Sequence, residues 1–401
     1  MKSTRLLRAI GDIDEGYVTE ATSPRRRSVW MAVGAIAACV AVTLSIVTAT
    51  HLNHKPNLID PSDEPISPTQ SPTQTKPQPD PQLPIINVIP STEGAMGYEG
   101  YIAPTFDDMN FPTPWRETDK IQTLPVYDNS VMAERYNVTH DLTPTEEEKQ
   151  AMAADLIYMA KKLGIPDPQP VWNGDYLPCY SLAYGDYVLT ADDTRLQVFL
   201  PMPEGCSLET TDSYDTLEAS AYRILETYRD VIGLKNPRLA ISYGDYTING
   251  EQMWMNVQFY EQGDIPAETL RNYCFNSVHL LVWNDSSLQI SFDRLDLSTV
   301  IGEYALISVE EAKAALLEGY YVTSAADPFP GLDHIEQVEI TYRNAFWDNV
   351  FLPYYKFYVE EVNPLPGAAQ MGMKSYATYY VPAVQRQYIQ GLPLWDGSIN
   401  S

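Results

Sequence analysis

The chain has 401 residues, 44% of them hydrophobic, which is enough for about two globular domains and excludes a wholly disordered polymer. Its 53 acidic side chains against 26 Lys plus Arg leave a formal charge of -27, so phosphate backbones and anionic lipid surfaces repel it as a whole. Nucleic acid is excluded as a partner.

Residues 1–27 hold Arg25, Arg26 and Arg27 against the start of an uncharged run, Ser28 to Thr50. A helix needs about 20 apolar residues to span the bilayer core, and this run is long enough. The arginines keep residues 1–27 in the cytoplasm. The chain is then expected at the cell membrane as a single-pass protein anchored through residues 28–50, with its acidic bulk outside. Ile36-Ala37-Ala38-Cys39 matches a lipobox, but the apolar run continues past Cys39 to Thr50, which favours an uncleaved signal anchor. Residues 51–92 carry ten prolines among Ser, Thr, Gln and Asp. That composition cannot bury a core, and in polyproline II form it predicts a disordered stalk reaching up to about 100 Å.

Beyond the stalk the pattern reads as α+β. Thr143-Pro144-Thr145-Glu146 predicts a capped helix with Met152, Leu156, Met159 and Leu163 inward. A second helix carries Leu217, Ala221, Ile224, Leu225, Tyr228 and Ile232, and a third follows Ser308 with Ala312, Ala315 and Leu316 inward. Hairpins are expected at Leu182 to Leu189 with Leu196 to Leu200, at Leu239 to Tyr246 with Gln252 to Tyr260 around Asn249-Gly250, and at His279 to Trp283 with Leu288 to Phe292. Three strands close the chain: Val338 to Tyr342, Tyr354 to Val359 and Tyr376 to Val384. Tyr184-Gly185-Asp186-Tyr187 and Tyr243-Gly244-Asp245-Tyr246 mark an internal repeat. The division is a 93–300 ectodomain of two helix-hairpin units and a C-terminal α+β unit, 301–401.

Tyr304-Ala305-Leu306-Ile307-Ser308-Val309-Glu310-Glu311-Ala312-Lys313 resembles the helix start of PepSY-like modules. Leu352 to Val359 and Thr378 to Val384 resemble the C-terminal part of YycH/YycI-type proteins. Those are single-pass proteins whose extracytoplasmic domains modulate a cell-wall sensor kinase, and the resemblance implies a regulatory role without catalytic residues. Ile10 to Ala21 is similar to the start of many single-pass Firmicutes proteins, which implies topology alone.

No hydrolase, phosphate-binding or zinc motif occurs, and no cofactor is expected. His279 and His334 read as structural, and Cys274 as a buried hydrophobe in an apolar strand. Cys179 and Cys206 flank the first hairpin and are the candidate disulfide of an oxidising compartment. Tyr354, Tyr355, Tyr358, Tyr379 and Tyr380 are the candidate interaction surface, because amphipathic rings serve interfaces, although strand propensity also accounts for them. The expected function is a noncatalytic extracytoplasmic binding or regulatory module with a protein partner outside or in the membrane. The alternative is a cell-envelope hydrolase acting on glycan or peptide, with Asp293 and Asp296 as acid and base.

Overall fold

The computed structural model describes residues 83–89, 99–139, 143–174, 178–247, 249–284, 286–364 and 366–397. The expected tail, membrane span and most of the stalk lie outside these residues. Among the described residues no helix is long and apolar enough to cross a membrane.

In chain order the strands are β1 (Ile86–Asn87), β2 (Gly100–Ala103), β3 (Thr123–Asp128), β4 (Val171–Asn173), β5 (Cys179–Tyr184), β6 (Tyr187–Ala191), β7 (Arg195–Pro201), β8 (Pro237–Tyr246) and β9 (Gln252–Glu261). They continue as β10 (Val278–Asn284), β11 (Ser287–Asp293), β12 (Val300–Ala305), β13 (Val322–Thr323), β14 (Ile335–Tyr342), β15 (Val350–Phe351), β16 (Pro353–Glu360), β17 (Lys374–Pro382) and β18 (Ile389–Gln390). Four helices organise the packing: α1 (Glu146–Lys162), α2 (Tyr214–Thr227), α3 (Pro266–Phe275) and α4 (Val309–Leu317).

The architecture is mixed α+β, mostly antiparallel. One sheet has eight strands in the order β4-β5-β6-β7-β11-β10-β9-β8. A helix precedes each half of it: α1 comes before β4 to β7, and α2 before β8 to β11. The two halves meet through their last strands, β7 and β11. Each half is larger than the expected helix plus hairpin, and α3 interrupts the second between β9 and β10. The Tyr-Gly-Asp-Tyr copies do not mark equivalent places in the two halves. Gly185, at φ +60, turns the chain between β5 and β6, whereas Gly244 lies inside β8. That turn also splits the run Leu182 to Leu189, expected as one strand.

The apolar residues of the sheet alternate with period two, and one face packs on α1 and α2. Leu182, Leu189, Val198, Ile290, Leu280, Val257 and Ile241 form a cross-strand row on that face, and all are buried in a core with Met152, Leu156, Leu217 and Ile224. The first helix starts two residues later than its sequence suggests. Thr145 is the N-cap and makes a reciprocal capping box with Glu148.

A second sheet joins β13, β17, β16 and β14, with β2 sharing the edge of β17 that β13 uses. A three-stranded sheet, β12-β3-β15, lies beside it in sequence and shares its core. Since β3 pairs with β12, the chain between them, including the whole eight-stranded sheet, is an insertion. The boundary expected at residue 301 is therefore replaced: the C-terminal unit also draws on β1, β2 and β3. The boundary expected at residue 92 also moves. Ile86 and Val88 are buried, β1 pairs in parallel with β18, and the Tyr304 hydroxyl donates to the Pro84 carbonyl at 2.8 Å.

Cys274 lies in α3 and not in a strand. Pro266 at the first turn and the spacing of Ala267, Leu270 and Cys274 carry the helical signal.

Candidate functional site

The face of the eight-stranded sheet turned away from α1 and α2 carries a different row. In register across six strands stand Ser181, Thr190, Gln197, Ser291, His279 and Gln258. With strands about 4.8 Å apart, five steps make a polar band of about 24 Å. Each residue stands one position from an aliphatic member of the opposite row, so period-two alternation alone places it.

An ionic group flanks the band at its centre. Arg195 and Asp293 are cross-strand partners, with Arg195 Nε 3.3 Å from Asp293 Oδ1. Asp293 Oδ2 lies 3.5 Å from His279 Nε2. The other ring nitrogen, Nδ1, is 3.1 Å from Asn256 Oδ1, and Asn256 Nδ2 donates to Gln258 Oε1 at 2.8 Å. That last bond turns the Asn256 oxygen toward the imidazole. Burial pushes the Asp293 carboxyl upward, but the His279 bond and the charges of His279 and Arg195 outweigh it and hold the group below its ordinary range. On the same face Thr190 Oγ1 donates to Gln197 Oε1 at 3.2 Å. Leu281, beside His279, is exposed, and Phe199 packs edge-on against Trp283 with centroids 5.0 Å apart.

Both imidazole nitrogens are engaged by Asn256 and Asp293, so neither is available to take a proton from Ser291 across the strand pair. Asp296, the expected partner of Asp293, accepts from the Ser298 backbone N–H at 2.9 Å and shapes its own loop. Among the described residues no group of three or more His, Cys, Asp or Glu is placed to hold a metal.

The other expected sites fall elsewhere. Tyr354, Tyr355, Tyr358, Tyr379 and Tyr380 are buried, at 1% to 7% exposure, and so form no interaction surface. Strands β16 and β17 are covered on both faces: Tyr355 and Tyr379 pack toward α3 and α4, while Tyr354, Tyr358 and Tyr380 line the other side. Cys179 and Cys206 are free thiols. Cys206 Sγ lies 3.8 Å from the Ser220 carbonyl, beside α2, whereas burial, with Asp192 nearby, pushes the Cys179 thiol up to about 11. The expected disulfide is not formed. His334 closes a short turn, Leu332–His334.

A second polar group is largely internal. Glu339, Lys356 and Tyr380 form a cross-strand row on β14, β16 and β17. Lys356 Nζ lies 2.7 Å from Glu99 Oε1, and the Tyr380 and Tyr101 hydroxyls donate to the same carboxylate at 2.6 and 3.2 Å. Tyr358 donates to Glu339 at 3.1 Å.

No family model matches the chain, and no curated protein matches it. A solved structure similar to it is that of an uncharacterised protein from Eubacterium rectale ATCC 33656. The match has 9% identity and a TM-score of 0.32, and covers 66% of this chain and 84% of that one.

Proposed function

We propose that the chain is a noncatalytic binding or regulatory module, held outside the cell by the apolar run 28–50, whose polar sheet face receives a partner. Ser181 and His279, partly exposed, and the exposed Leu281 on this face support the reading most directly, whereas Thr190, Gln197, Ser291 and Gln258 of the same row are buried, at 3% to 8% exposure. The buried amides of the row are held within the sheet, Gln197 by Thr190 and Gln258 by Asn256, while Arg195 and Asp293 neutralise one another at its side. The resemblance to YycH/YycI-type proteins suggests that the partner is a membrane or wall protein. The engagement of Asp293 by Arg195 and His279 favours binding over hydrolysis.

The test is site-specific photo-crosslinking in intact cells. A photoreactive residue at Leu281, on the polar face, should capture a discrete adduct, whereas one at Leu317, exposed on α4, should not. Equal capture from both positions, or none from Leu281, would defeat the assignment of this face. Protease added outside should digest the folded part and spare a tag at residue 1; the reverse pattern would defeat the topology.

A further inference from the structure

Residues 99–111 form a strap that joins the two large sheets. On one side β2 pairs with β17. On the other, the Ile102 N–H donates to Asp245 Oδ1 at 3.0 Å, the Tyr246 hydroxyl donates to the Asp108 carbonyl at 2.8 Å, and Asn110 exchanges backbone bonds with Tyr243 at 2.8 and 3.0 Å. Gln337 of β14 and Tyr273 of α3 hold its end by donating to the carbonyls of Phe111 and Pro112 at 2.9 and 2.7 Å.

At the strap, one ammonium stands near two carboxylates and pairs with one of them. Glu99 takes Lys356 and two tyrosine hydroxyls, and Glu339 is left with the Tyr358 hydroxyl. Tyr358 stacks on Phe111 of the strap, with centroids 4.6 Å apart and planes 18° from parallel. The groups facing Glu339 are Lys356 and Tyr358 on β16, Glu99 and Tyr101 from the strap, and Tyr273 and Cys274 on α3. Lys356 is the one cation among them. An ionised Glu339 must compete with Glu99 for Lys356 or admit water beside Tyr358, and either change removes an anchor of the strap.

We propose that residues 99–111 are a proton-controlled latch, closed while Glu339 is protonated and loosened when it ionises. The latch follows from the cluster geometry and does not depend on the binding role of the polar face.

The sign of the effect is fixed by linkage. Burial, with Glu99 adding to it and Lys356 and Tyr358 opposing it, pushes Glu339 up to about 7 from an ordinary 4.5. A group raised in the closed state stabilises that state fully below its ordinary value and loses the contribution as pH rises toward the raised one. Glu99 shifts the other way: burial pushes it up, but Lys356 and the tyrosines hold it below its ordinary range, so its contribution is lost only in acid.

Hydrogen exchange of the strap amides in the full chain, in detergent micelles from pH 5 to 8, reads the latch. Protection factors should fall by about tenfold per pH unit toward pH 7 and level off above it. Glu339→Gln should stay at the low-pH level throughout, and Glu360→Gln, at a surface ion pair with Lys374, should behave as wild type. A flat wild-type profile, or an unchanged slope in Glu339→Gln, overturns the proposal. Should Glu339→Gln fail to fold, carboxyl-carbon NMR of wild type labelled at glutamate decides. One glutamate titrating near pH 7 together with the exchange transition supports the latch, and none titrating above pH 6 overturns it.

Discussion

Tyr376 and Tyr380 point to the same side of β17, are both buried, and differ in what their hydroxyls meet. The Tyr380 hydroxyl gives a 2.6 Å bond to the Glu99 carboxylate, whereas the Tyr376 hydroxyl is buried without a hydrogen-bond partner. A bond to a charged acceptor contributes about 1.5–3 kcal/mol, and removing a buried donor that bonds to nothing relieves a desolvation penalty. Tyr380→Phe should therefore lower the urea midpoint by an amount equivalent to about 2 kcal/mol, while Tyr376→Phe should leave it unchanged or raise it. Equal losses would mean that ring packing, not the hydroxyl, decides both. Gly391 is a second residue whose identity is dictated by space. It sits at φ +91, and a Cβ there would meet the Val88 carbonyl oxygen. Gly391→Ala combines left-handed strain with that clash and should cost roughly 2 kcal/mol or more in the same measurement.

At the scale of elements, local chemistry made much of the fold legible. Ser308 accepts from the Glu311 N–H at 3.2 Å while the Glu311 carboxylate takes the Ser308 N–H at 2.7 Å, which is the reciprocal cap that Ser-Val-Glu-Glu announces. Ser308→Ala should cost about 1 kcal/mol by thermal unfolding, the usual value of an N-cap. The hairpin around Asn249-Gly250 was equally legible, since Gly250 adopts φ +84 and donates to the Thr247 carbonyl at 2.8 Å. What local chemistry could not show is which strands meet. The polar row was present as single Gln residues between apolar neighbours, in Leu196-Gln197-Val198 and Val257-Gln258-Phe259. Only the register of β7, β9, β10 and β11 brings Gln197 and Gln258 into line with Ser291 and His279. The tyrosines of β16 and β17 misled for the opposite reason. A strand covered on both faces and a strand displaying rings to a partner have the same composition, and only the packing of α3, α4 and the strap decides between them.

At the scale of the molecule, the insertion between β3 and β12 explains why proline content placed the end of the stalk too late. Pro84 and Pro90 bracket a segment with stalk-like prolines, yet its apolar residues complete a core built largely from the last hundred residues: Ile86 and Val88 pack with Tyr304, Tyr320, Val384 and Tyr388. Long-range pairing with β18 overrides local composition, and no short window of sequence contains both partners. The consequence is a contrast between adjacent isoleucines. A stalk would treat Ile85 and Ile86 alike, but in the fold Ile85 is 54% exposed and Ile86 1%. Ile86→Ala opens a cavity in a closed core and should cost about 2–4 kcal/mol. Ile85→Ala should stay within about 0.5 kcal/mol, as surface changes do. Urea unfolding of the two variants in the full chain separates the cases: a large loss for Ile86→Ala alone places the start of the folded body at this strand, and two small, equal losses would return the segment to the stalk.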